Sequence, residues 1–236
     1  MRSLDRIAQT NRWLGRSLAE KLTVGLGLLA VDLTQPPLAT APAILAVLTL
    51  LALGAARIPA RVWAWGLAAP MGFSATGSIA LLFPVDQTHV LAATAVMLRA
   101  TAGGACLIFI GLTTPAPTLI QGLNRLHIPT EIIDVALLTY RFIFILADQA
   151  AAMHHAQTQR MGKATFVKKL RAVGHVAAGL LPRALHQARR METGLAARNW
   201  QGAFPTLSAA PPVSVPGMAL AVGVVAGCLA WGRIAW

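Results

Sequence analysis

The sequence is poor in charge, in acid and in cysteine, and each shortage excludes something. Only 12% of its 236 residues are charged, about half the share of a soluble domain, which excludes a disordered chain and a nucleic-acid module with a well-solvated surface. There are eight Asp and Glu, and no two are placed for acid–base work. With no P-loop, no nucleophile elbow and no H-E-x-x-H, the chain reads as a non-enzyme without a catalytic residue or a cofactor site. Cys106 and Cys228 both lie inside apolar runs, as buried small hydrophobes rather than a disulfide or a metal site. His154 and His155 do not change that reading, because neighbours on a helix point about 100° apart and cannot chelate together. The polar N-terminus has no short apolar core followed by a small-residue site, so no cleavable signal peptide is expected.

What the chain has instead is apolar bulk: 56% hydrophobic residues, 20 glycines and a mean hydropathy of +0.62. That composition describes an all-α integral membrane protein, with room for about five transmembrane helices and one polar segment. Leu38–Ala56 and Val62–Phe83 carry no charge, and Leu91–Leu112 carries only Arg99. Pro216–Trp236 reads as a last span anchored by Arg233 and Trp236, and Leu22–Thr34 as a shorter one containing Asp32, with Lys21 snorkelling at its inner end. Trp63, Trp65 and Tyr140 read as interfacial anchors. Arg99 is costly inside a span, at about 2.5–3.5 kcal/mol. Its structural reading is a buried pair with Asp32 or Asp86, or with backbone carbonyls; its functional reading is a substrate or coupling-ion path.

Charge placement orients the spans. Between Arg141 and Arg198 there are ten Lys/Arg against two acids, a net +8, and the first 21 residues add +3. By the positive-inside rule both regions are cytoplasmic. The expected organisation is 1–112, a tail and four spans; 113–202, a cytoplasmic coupling segment of amphipathic helices; and 203–236, a linker and the last span. Pro115, Pro117, Pro129 and Pro182 are expected to cut the middle segment into separate helices. Glu131–Ala147 is expected at the membrane edge, since Asp134, Arg141 and Asp148 fall on one stripe at spacings of seven. Thr165–Leu181 gathers Phe166, Leu170, Val173, Ala177 and Leu180 on one face, and Arg183–Arg198 has a seam of Ala184, Ala188, Met191 and Leu195.

Two stretches end alike. Met153 to Arg160 and Met191 to Arg198 both read Met, a small residue three later, and Arg four after that. The three share a helix face, so each arginine ends an apolar seam. A guanidinium there suits a bidentate carboxylate on a partner, or simply complements the dipole of the last turn. Gly162 and the run Asn199–Gly202 supply stop signals.

These motifs resemble the transmembrane T component of energy-coupling-factor (ECF) transporters, and most closely its cobalt-type branch, CbiQ. The likeness runs from Asp5-Arg-Ile-Ala-Gln-Thr-Asn11 through Pro70-Met-Gly-Phe73, Leu112-Thr-Thr-Pro115, Leu123-Asn-Arg-Leu126, Pro129 and Tyr140-Arg141-Phe142. It is strongest in Gln159-Arg160-Met161 and Ala197-Arg198-Asn199. The family signature is often Ala-Arg-Gly, from which this chain departs at Asn199 and at both neighbours of Arg160. The resemblance implies two ABC ATPase subunits, each receiving one arginine in an acidic groove, and a substrate-binding membrane subunit (S component) that receives the motion. It implies a multi-pass protein of a bacterial inner membrane, with cobalt ion as cargo and no metal bound by this chain. Nickel or a vitamin such as biotin stays open as cargo, and a self-sufficient ion-coupled carrier as an alternative function. Arg99, Asp134, Arg141 and Asp148 remain as structural or coupling charges.

Overall fold

The computed structural model describes residues 8, 11–81, 87–161, 165–200 and 214–234, with the side chains of all of these except 80, 81, 87, 88, 126, 160 and 161. It is an all-α membrane protein, with no strand among the described residues. The chain divides into two compact units, one made of residues Met1–Leu119 with Ser208–Trp236 and the other of Ile120–Leu207.

Among the described residues the first unit is a bundle of five long helices: α1 (Leu18–Thr34), α2 (Pro37–Leu50, continued by a π turn to Ala55), α3 (Ala60–Leu81), α4 (Gln87–Thr113) and, from the far end of the sequence, a helix over Val215–Ile234. Among the described residues three segments are long and apolar enough to cross a membrane: Pro37–Ala55, His89–Thr113 and Val215–Ile234. The other two run alongside them. Ser78 in α3 donates to the carbonyl of Ala93 in α4, and Trp63 at the start of α3 donates to Thr49 in α2. A Cβ on Gly104 would lie 2.7 Å from Cβ of Pro70, so only glycine lets α3 and α4 approach this closely. Such small-residue contacts replace the hydrophobic drive that lipid does not supply.

Two expectations change here. Trp63 is a core residue, 3% exposed, rather than an interfacial anchor, whereas Trp65 faces outward. Lys21 does not snorkel: it is buried, and its Nζ donates to the carbonyl of Thr113 at 3.0 Å. The physical reason is the end of α4, whose last carbonyls have no partner within the helix and hold partial negative charge. Asn11 serves the same end, its Nδ2 donating to the carbonyl of Leu112 at 2.8 Å. Asn11, the last residue of the opening run, therefore meets Leu112-Thr-Thr-Pro115 in space.

The C-terminal helix runs parallel to α1. Its first residues hang from Glu20, which accepts from both the backbone N–H and the hydroxyl of Ser214, at 3.0 and 2.9 Å, and pairs with Arg16 at 3.3 Å. Thr23 then meets Met218. The points where the chain leaves the bundle, at Thr113 and at Ser214, thus sit at the same end as the start of α1.

Between these exits come a short helix α5 (Ala116–Gly122), a 3-10 turn Leu123–Leu126, and two long helices, α6 (Thr130–Met161) and α7 (Phe166–Ala196); the C-terminal helix is α8. His127 takes a left-handed conformation, φ 58°, and Pro129 stands just before Thr130, where α6 begins with Glu131 in its first turn. Glu131–Ala147 is thus the first half of a 32-residue helix. Pro182 does not divide the next stretch: α7 is continuous for 31 residues with Pro182 inside it. A proline in a helix interior costs about 3 kcal/mol, but Ala177, Ala178, Leu180, Leu181, Ala184 and Leu185 around it are strong helix formers. Pro42 and Pro70 are tolerated in the same way.

Candidate functional site

Helices α6 and α7 lie antiparallel as a hairpin. Gly179 packs against the Cε end of Met153, and Phe142 shares cleft walls with Met191 and Leu195. The face of α7 turned inward is its small-residue side, with Ala172 and Val176 buried. The apolar face anticipated from the sequence points elsewhere: Phe166 is 77% exposed, and Leu170 and Val173 are more than half exposed. A helix rich in Ala and Gly packs most closely along its small side, which leaves the larger apolar groups uncovered.

Phe142, Met191 and Leu195 form a wall between two clefts. On one side is a cleft of about 330 Å³ that gathers three arginines, Arg141, Arg190 and Arg198, with Gln187. Arg190 donates to the side-chain oxygen of Gln187. On the other side is an apolar cleft of about 500 Å³ whose charged residues, among those described, are all acids: Glu131, Asp134 and Glu192. Three of the eight acids in a chain of net charge +12 thus line one cleft, and three guanidiniums line its neighbour. Chemically, the first suits carboxylate or another planar anion; the second suits an apolar element with cationic flanks.

Arg198 follows the last helical turn. α7 ends at Ala196, Ala197 stays helical, and Asn199 turns left-handed with φ 50°. Its N–H donates to Ala196 and that of Trp200 to Leu195, both at 3.1 Å, which closes the helix as a left-handed cap does. The departure from Ala-Arg-Gly is therefore conformationally small, since asparagine is the side chain that best replaces glycine there. Met191, Gly194 and Arg198 line the same cleft, which is the shared face read from their spacing. For the other motif, Gln159 is exposed, and its amide lies 3.5 Å from Nε2 of His155. Arg160 and Met161 belong to the last turn of α6, their side chains falling outside the described residues together with all of Gly162.

Of the other charges singled out, Asp134 and Arg141 fall into the two different clefts, and Asp148 is an exposed residue further along α6. Arg99 lies in the bundle and donates to the carbonyl of Gln35 at 2.7 Å, the backbone partner among those anticipated. Asp32 is buried, and neither of its oxygens has a hydrogen-bond partner among the described residues. Asp86 lies outside the described residues. Arg190 and Gln187 were missed by sequence reasoning; the signal available was Arg190 standing two turns before Arg198 on the same helix.

Residues 10–207 match the family model for CbiQ, described as cobalt transport protein. The chain is 46% identical to the cobalt transport protein CbiQ of Rhodobacter capsulatus, covering 98% of this chain and 97% of that one. It is 27% identical to the cobalt transport protein CbiQ of Salmonella typhimurium, over 86% of this chain and 99% of that protein. A putative fused cobalt transport protein, CbiMQ of Methanocorpusculum labreanum, is 27% identical over 83% of this chain, which matches 35% of its length. The chain belongs to the CbiQ family.

Proposed function

We propose that this chain is the non-catalytic transmembrane coupling subunit of an ATP-driven importer of the ECF type, with cobalt ion as cargo. It transmits motion from two ABC ATPase subunits to a substrate-binding membrane subunit. The observation that supports this best is the placement of the two arginine motifs. Arg160 ends α6 and Arg198 follows α7, and because the helices are antiparallel the motifs stand at opposite ends of the hairpin. The 31 residues of α7 separate them by about 46 Å at 1.5 Å per residue. Two cationic contacts that far apart suit two separate acidic grooves, one on each ATPase, and not a single shared site.

Arg198 enters its groove with Arg141 and Arg190 beside it, so the contact is a patch of guanidiniums and not a lone charge. Closure of the ATPase dimer on ATP moves the coupling helices, and the bundle passes that motion to the substrate-binding membrane subunit. Segment 113–202 acts as the coupling domain, 1–112 and 203–236 as the membrane domain, and the uncovered apolar residues of α7 meet membrane or partner. The inner membrane is the site of action, with the N-terminus and the hairpin cytoplasmic, as the basic residues prefer. The cargo rests on the relatives named as cobalt transport proteins. The fused relative supports a second membrane subunit working beside this one.

Affinity purification in mild detergent tests the reading, with wild type and Arg160→Ala/Arg198→Ala side by side. Wild type is expected to bring down an ABC ATPase pair. The double variant is expected to lose it, since each unpaired partner carboxylate costs about 2–5 kcal/mol when desolvated. Wild type that purifies alone and transports cobalt in proteoliposomes without ATP would establish a self-sufficient carrier instead.

A further inference from the structure

At the end of the bundle away from Lys21 and Thr113 lies a cavity of about 560 Å³, lined by Thr34, Gln35, Pro36, Arg99 and Arg233. Its level follows from the helices. The span Pro37–Ala55 begins one residue after Pro36, and the span Val215–Ile234 ends one residue after Arg233. The cavity mouth therefore sits where apolar surface gives way to headgroups. Arg99 starts deeper, ten residues into the span that opens at His89, and its long side chain reaches to the Gln35 carbonyl at that edge.

The cavity is short of counter-charge. Among the described residues no carboxylate comes within ion-pair distance of Arg99 or Arg233. One guanidinium nitrogen of Arg99 bonds to Gln35, and its Nε is buried without a partner. Asp32 acts on Arg99 from beyond ion-pair distance, so among the described residues two guanidiniums face one acid. The second arginine is placed by close packing. A Cβ on Gly232 would lie 2.6 Å from Cγ2 of Thr40 and 3.2 Å from the side chain of Gln35, so the last turn of α8 presses against the α1–α2 corner and brings Arg233 into the cavity wall. Around the mouth, Leu33, Leu38, Trp231 and Ile234 are exposed apolar groups.

We infer that this cavity binds the phosphate of an anionic phospholipid, held between the guanidiniums of Arg99 and Arg233, with the acyl chains along Leu33, Leu38, Trp231 and Ile234. Two planar forks match phosphate oxygens in a way lysine would not. The apolar rim at headgroup level favours a lipid over a free ion. The bound lipid ties the α1–α2 corner to the end of α8. The inference is independent of the proposed coupling role, which rests on Arg160 and Arg198.

The test is thermal unfolding and native mass spectrometry of the purified protein in neutral detergent, with phosphatidylglycerol, phosphatidylcholine or inorganic phosphate added. Wild type is expected to retain phosphatidylglycerol about tenfold better than phosphatidylcholine and to gain thermal stability from it. Arg233→Gln, an exposed change that spares the fold, is expected to lose most of that preference. Arg61→Gln, an equal loss of charge outside the cavity, is expected to keep it. Equal retention of both lipids by wild type, or an unchanged preference in Arg233→Gln, overturns the site. Inorganic phosphate that stabilises wild type as well as phosphatidylglycerol does, with Arg233→Gln abolishing both effects, overturns the lipid source and makes the cavity a site for free phosphate.

Discussion

The bundle and the hairpin are both helical, but they are held together differently. The bundle has a core of side chains with almost no exposure, among them Leu28, Ile44, Leu48 and Phe109, together with buried polar joints such as Lys21 on Thr113 and Glu20 on Ser214. Among the described residues of the hairpin the buried hydrophobics are Ile133, Ala172 and Val176. Both units expose large apolar side chains, yet in different company. On the bundle, Leu50 and Phe73 stand on uncharged stretches of helix and suit lipid. On α7, Phe166, Leu170 and Val173 alternate with Lys168, Lys169 and Arg171, as on an interfacial or partner-binding helix. The bundle is stabilised from within, whereas the hairpin depends on what it meets.

Perturbing a close contact in the bundle is the strongest way to sharpen that contrast. Gly104→Leu forces side-chain atoms into Pro70, whose Cβ already lies 2.7 Å from where the new Cβ would be. A loss of about 3 kcal/mol is expected, read as a lowered Tm and an aggregated elution profile in detergent. A variant as stable as wild type would show that α3 and α4 do not pack as described. Next in size is Lys21→Met, which fills a similar volume but leaves the Thr113 carbonyl without its donor. An unsatisfied buried acceptor costs about 1–3 kcal/mol. Because Thr113 is where the chain leaves the bundle, the proposed coupling role predicts that cobalt uptake falls by more than ATPase binding does, as measured in cells and by co-purification.

The hairpin should answer in the opposite sense. Phe166→Ser/Leu170→Ser/Val173→Ser removes three exposed apolar groups, so the Tm of the isolated chain is expected to move by about 0.5 kcal/mol equivalent or less. Membrane-subunit partners or bilayer association should nevertheless be lost, as read by flotation and co-purification. A large fall in Tm would mean that those residues are covered within the chain.

Much of this contrast was legible in the residues, and its exceptions have physical causes. Long uncharged runs marked the bundle helices because lipid demands them, and the left-handed stop at Asn199 followed from composition near a helix end. The shared face of Met191, Gly194 and Arg198 followed from spacing alone. Three things did not. The burial of Lys21 needed the end of α4 brought beside it, a partner 92 residues away. The continuity of α7 through Pro182 depended on the neighbours' propensity outweighing a local break. The sorting of Arg141, Arg190 and Arg198 from Glu131, Asp134 and Glu192 required two helices in register. Local chemistry is written in sequence neighbours, and pairing between elements is not.

A stabilising change is the cleanest probe of the hairpin's independence. Gly174 lies inside α7, and a Cβ there would meet nothing within 4 Å. Gly174→Ala therefore adds helix propensity without adding contact, and is expected to stabilise α7 by about 1 kcal/mol. In the bundle the same change at Gly104 meets Pro70 and is expected to destabilise. Hydrogen exchange followed by mass spectrometry separates the two, with slower exchange for peptides of residues 166–196 in Gly174→Ala and unchanged exchange in the bundle. If Gly174→Ala also slows exchange in α1 or α4, the two units unfold together, and the hairpin shares the bundle's stability. If slowing is confined to α7, local helix strength sets how stiff a lever the hairpin makes. On the proposed coupling role, Gly174→Ala should then raise the coupling of ATP hydrolysis to uptake, where a mere surface change would leave it alone.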